Sequence, residues 1–69
     1  MSIAAEIKHL SLNANEAYRR SEDAAVAIDQ DWEHEATFYT FADDSVLLLS
    51  GPQVNTYASM ADARADVTA

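Results

Sequence analysis

Seven consecutive residues, Asp29-Gln30-Asp31-Trp32-Glu33-His34-Glu35, gather four carboxylates and an imidazole. Such a set can ligate a cation, move a proton, or present negative charge to a basic partner. The calcium template fails: a loop starting at Asp29 has His34 where the sharp turn needs glycine, and Thr40 where a bidentate glutamate closes the site. Zinc wants further nitrogen or sulfur ligands, and the chain offers only a distant His9 and no cysteine. His34 between two glutamates could act as a base. With no thiol and a single glycine in the chain, neither a cysteine nucleophile nor a glycine-rich phosphate loop accompanies it. The expectation is no enzyme, no catalytic residue, no metal and no cofactor.

The third chemistry remains, and it depends on spacing. If residues 29–35 are extended, Asp31, Glu33 and Glu35 project to one side about 6.6 Å apart. If they are helical, Asp29 and Glu33 share a face with Asp31 and Glu35 beside them. Either way a row of carboxylates results. Nucleic acid presents its partners with a regular negative array, so a rigid row of this kind could occupy a site shaped for phosphates.

The charge extends beyond these seven residues. Of 12 acids against 4 bases in 69 residues, eight lie between Glu22 and Asp44: Glu22, Asp23, Asp29, Asp31, Glu33, Glu35, Asp43 and Asp44. No Lys or Arg lies among them, and the flanks cancel, so the formal net charge of −8 sits in this one segment. Four bases in all exclude binding to nucleic acid by phosphate neutralisation. A partner that reads this charge must be basic. These eight acids are the candidate partner-binding residues, and solubility is the alternative reason for their presence.

The elements that position them must come from one thin core, because a chain this short buries only about 60% of its unfolded surface. Ile3, Ile7, Leu10, Ala14, Ala17, Tyr18, Ala24, Ala25 and Ile28 recur at three- and four-residue steps, which predicts an amphipathic helix over residues 2–31. Its weak point is Ser11 to Asn15, where Asn13 and Glu16 could form a capping box and start a second helix. Three strands follow, at 37–41, 45–49 and 54–58, joined by Ala42-Asp43-Asp44 and Gly51-Pro52-Gln53. Ser59 is a possible N-cap for a helix over 60–67. The reading is an α+β fold in the order α-β-β-β-α, a three-stranded antiparallel sheet with its helices packed on one face, as a single domain over residues 1–69. Trp32, at the junction of helix and sheet, reads first as a core residue and second as a binding hot spot. Tyr18, Phe38, Tyr39, Phe41 and Tyr57 read as core or sheet-face residues. The longest apolar run, Val46 to Leu49, is too short to span a bilayer, and residues 1–6 lack the features of a secretory signal. A cytoplasmic location is expected.

One set of residues carries a resemblance. Ala25-Val26-Ala27-Ile28-Asp29-Gln30-Asp31-Trp32, then Tyr39-Thr40-Phe41, Asp43-Asp44-Ser45-Val46-Leu47, Ser50-Gly51 and Tyr57-Ala58, resembles a phage anti-CRISPR family, the small acidic DNA-mimic inhibitors of the type I-F Cascade complex. The likeness covers roughly residues 24 to 60. It implies a helix and sheet sandwich that binds the large or backbone subunit of Cascade and blocks target DNA near the PAM-recognition site, in the cytoplasm of the bacterial host. Asp29 and the acid before Ser45-Val46 match acidic positions of the family. The family's additional acidic carboxyl-terminal helix has no counterpart in the nearly neutral residues after Asp44, so a type I-C target stands beside type I-F. The resemblance implies a basic DNA-binding channel as partner, with no direct nucleic-acid or membrane binding; a monomer is favoured and the oligomeric state left open. The alternatives are an acidic mimic aimed at another basic protein, such as a restriction enzyme or transcription factor, and a plain acidic interaction module.

Overall fold

The computed structural model describes residues 2–68. Its elements run α1 (Ile3–Leu10), α2 (Ala14–Ala24), β1 (Ala27–Asp31), β2 (Ala36–Thr40), β3 (Val46–Ser50), β4 (Gln53–Tyr57) and α3 (Met60–Thr68). The sheet has four strands in the order β1-β2-β3-β4, each antiparallel to its neighbour.

The single helix expected over residues 2–31 is three elements instead. Ser2 caps α1 by accepting from the Ala5 N–H at 3.1 Å. Ser11 ends it in an extended conformation, its hydroxyl donating to the Ile7 carbonyl at 2.7 Å. Asn13 then starts α2, its side chain accepting from the Glu16 N–H at 3.0 Å. A serine and an asparagine two residues apart thus satisfy groups that the ends of α1 and α2 leave without an intrahelical partner. The helix ends before Ala25, and Ala27–Asp31 forms a strand with no place in the three-stranded reading. Pairing decides this segment: Ile28 lies opposite Tyr39, Asp29 opposite Phe38 and Asp31 opposite Ala36. The ladder outweighs the helix preference of an alanine-rich run.

The remaining strands and α3 fall within about a residue of their predicted ranges. Two-residue Gly51-Pro52 joins β3 to β4, with Gly51 at φ 58°, the positive value that the first central position of a type II′ turn requires. Ser59 caps α3, accepting from the Asp62 N–H at 3.2 Å.

The helices do not share one face. Tyr39, Phe41 and Leu47 pack with Ala4 and Ile7 of α1 on one side of the sheet. Ala36, Phe38, Val46 and Leu48 pack with Ala63 of α3 on the other. The cause is the alternation of a strand: in Val46-Leu47-Leu48-Leu49 both sets of side chains are apolar, so both faces need cover. A fully buried Phe or Leu contributes about 2 kcal/mol, and this three-layer arrangement lets one short strand contribute to two cores. Phe38, Tyr39 and Phe41 are buried as expected and Tyr57 is partly buried, whereas Tyr18 is exposed. No helix of the described residues is long and apolar enough to cross a membrane.

Candidate acidic interface

The acids of residues 22–44 do not form one row. Thr40 of β2 faces Ala27, and Ala36 faces Asp31, so the two ends of β2 lie about 13 Å apart. Glu22, Asp23, Asp43 and Asp44 belong to the Thr40 end, where α2 leads into β1 and β2 into β3. Glu33 and Glu35 belong to the other end, in the turn between β1 and β2. The extended repeat expected for Asp31, Glu33 and Glu35 is broken because β1 stops at Asp31 and Glu35 turns the chain with φ 52°. What remains in register is Asp29 and Asp31, two residues apart on the α3 side of β1.

Each of this pair is held. Arg64 of α3 donates from Nη2 to Asp29 Oδ2 at 2.9 Å, while its guanidinium lies 5.2 Å from the centre of the Phe38 ring. The strand register explains the meeting, since Phe38 lies opposite Asp29 and a planar cation can stack on one while bonding the other. Asp31 Oδ2 lies 2.8 Å from His34 Nδ1, and Asp31 Oδ1 accepts from the His34 N–H at 3.2 Å. The side-chain bond to His34 holds the Asp31 carboxyl below its usual range.

Asp43 serves the fold. Its Oδ2 accepts from the Ile3 N–H at 2.9 Å and its Oδ1 from the Ser45 N–H at 3.1 Å and the Ser45 hydroxyl, which together lower its carboxyl. Asp44 occupies a left-handed position at φ 70° in the same turn. Glu22 lies beside Tyr18, whose phenol it raises by a side-chain hydrogen bond; with burial as the larger cause, Glu22 also helps push the Tyr39 phenol up to about 12. Asp23 lies with Arg20 and Glu6 along the groove between α1 and α2. Among the described residues no three His, Asp or Glu side chains are placed to hold a metal ion.

Trp32, read first as core, is 80% exposed at the tip of the β1–β2 turn. Its turn lies beyond Asp31 and Ala36, the last paired residues of β1 and β2, outside the strand ladder against which α3 packs. With Gln30, Asp31, Glu35, Ala36 and Thr37 it lines a shallow open depression. Ile28, which the helical reading turned toward a core, is also exposed, and so is Val26. The alternation of Val26, Ile28 and Gln30 with Ala27, Asp29 and Asp31 is the signal that marks the strand. No family model, curated protein or solved structure matches this chain.

Proposed function

We propose that this chain is a non-catalytic inhibitor that mimics DNA, placing its acids in the basic DNA-binding channel of a type I Cascade complex, I-C or I-F, and so excluding target DNA and its PAM. The observation that carries the reading is the sequestration of charge. The whole net charge lies in residues 22–44, and Glu22, Asp23, Asp29, Glu33, Glu35 and Asp44 are all exposed there. A chain using acids for solubility alone has no need to clear one segment of every Lys and Arg.

Within that segment the β1–β2 hairpin is the favoured contact. It joins Asp29 and Asp31 to Glu33 and Glu35, and it adds Trp32, a residue type enriched at binding hot spots. Long-range attraction between such a hairpin and a lysine-rich channel gives fast association that weakens with salt.

The test is competition: purified type I-C and type I-F Cascade, each with labelled target DNA, are titrated with this protein at low and high salt. Displacement of DNA that fades as salt rises is expected, together with its loss when Asp29, Asp31, Glu33 and Glu35 are replaced by lysine. Retention of DNA by both complexes, or salt-independent binding, overturns the reading. Phage rescue that does not depend on the host's CRISPR genes assigns the acids to another basic DNA-binding protein.

A further inference from the structure

The two edges of the sheet are unlike. β4 has α1 and α2 on one side and α3 on the other, whereas β2 is the one substantial neighbour of β1 among the described residues. β1 is therefore exposed on both faces, and the outward-facing half of its backbone N–H and C=O groups meets water. Its two faces differ in chemistry. Val26 (67% exposed) and Ile28 (48%) lie toward the α1–α2 side, with Asp29 and Asp31 on the α3 side.

Soluble proteins blunt such an edge with charge, and Asp29 and Asp31 do so against a second copy of this chain. Antiparallel self-pairing centred on Asp29 sets that residue against its own copy, and pairing centred on Gln30 sets Asp29 against Asp31. Like charges directly opposite are destabilising. The same two carboxylates, with Glu33 and Glu35 just beyond, favour a strand that carries positive charge at alternate positions. Their intramolecular contacts, Asp29 with Arg64 and Asp31 with His34, fix where the negative charge stands without removing the excess of acid.

We propose that the open edge of β1 is a docking strand that takes an extended segment of a basic partner as a fifth strand of the sheet. The segment alternates Lys or Arg, opposite Asp29 and Asp31, with apolar residues that cover Val26 and Ile28. Backbone pairing gives the affinity, and the two unlike faces give the register. The proposal rests on the functional reading above only in taking the partner to be basic.

The experiment uses the intact protein and three short synthetic peptides of equal charge. One alternates lysine with valine or threonine; one has the same composition in blocks; one is the alternating peptide N-methylated at every second residue on the edge-facing side. Binding and amide exchange are followed by NMR. The alternating peptide should bind and protect β1 amides, and the other two should bind at least about tenfold more weakly, since each lacks the ladder or the register. Equal binding by the N-methylated or block peptide, no binding by the alternating one, or protection outside β1 overturns the proposal. So does concentration-dependent protection of β1 in the protein alone, which would assign the edge to a second copy. Because no Cascade is used, peptide binding without DNA competition keeps the edge and discards the effector, and the converse discards the edge alone.

Discussion

The Asp43 carboxylate accepts from the backbone N–H of Ile3 at 2.9 Å, across 40 positions of sequence. Beside it the Ser45 hydroxyl accepts from the buried N–H of Ala4 at 3.1 Å while donating to Asp43. The turn between β2 and β3 thus supplies the first helix with donors' partners that its own sequence lacks, and anchors α1 on the sheet.

Acid should loosen this anchor. The Asp43 carboxyl is lowered in the folded protein, so its contribution is complete above the ordinary carboxylate range and is lost as pH falls through the lowered value. Thermal melts through the acid range should show a decline in Tm that is smaller in Asp43→Asn, which has already lost the charge. Ser45→Ala should cost about 1–2 kcal/mol by urea unfolding, because it orphans a buried N–H.

Trp32 and Phe38 should respond in opposite ways. Trp32→Ala removes an exposed ring, and stability should stay within about 0.5 kcal/mol of the parent while partner binding falls. Phe38→Ala empties a site under α3 and should cost about 3–5 kcal/mol, enough to unfold much of a domain this small. Paired urea melts and binding titrations separate the two roles.

The Arg64 guanidinium joins α3 to β1 through Asp29 and to β2 through Phe38, two contacts of different physics. A double-mutant cycle of Arg64→Met and Asp29→Asn should give a coupling of about 0.2–1 kcal/mol that shrinks in high salt, as for other exposed pairs. Arg64→Lys should keep part of that coupling and lose the stacking on Phe38.

Gly51 isolates backbone conformation from packing. A methyl group added there meets nothing within 4 Å, yet φ is 58°. Gly51→Ala should therefore destabilise by about 1 kcal/mol without any clash, and Gly51→Asn by less, as calorimetry would show.

The strands Ala36–Thr40, Val46–Ser50 and Gln53–Tyr57 and the helix from Met60 were legible in sequence because β-branched and aromatic runs alternate with strong turn residues. β1 was not. Ala24-Ala25-Val26-Ala27-Ile28 satisfies a helical spacing as well as a strand's alternation, and only pairing with Phe38 and Tyr39 separates the two. Trp32 was misplaced for the same reason, since a tryptophan at the foot of a helix packs inward but one at a hairpin tip does not. The placement of α3 opposite α1 was implicit in Val46-Leu47-Leu48-Leu49, a run that no one-sided sheet can bury. The eight acids were legible as a segment of charge. Their division between the two ends of β2 was not, because it depends on register.

A sheet packed on both sides by so short a chain leaves little latitude where the layers meet. From residues 46 to 49, each side chain serves one helical layer or the other. The strand at the open edge has almost no such duty, and substitutions at its exposed positions change folding little. Side chains on that strand can accordingly be exchanged while the core stays as it is, so the docking role proposed for the edge places no demand on the layers beneath it.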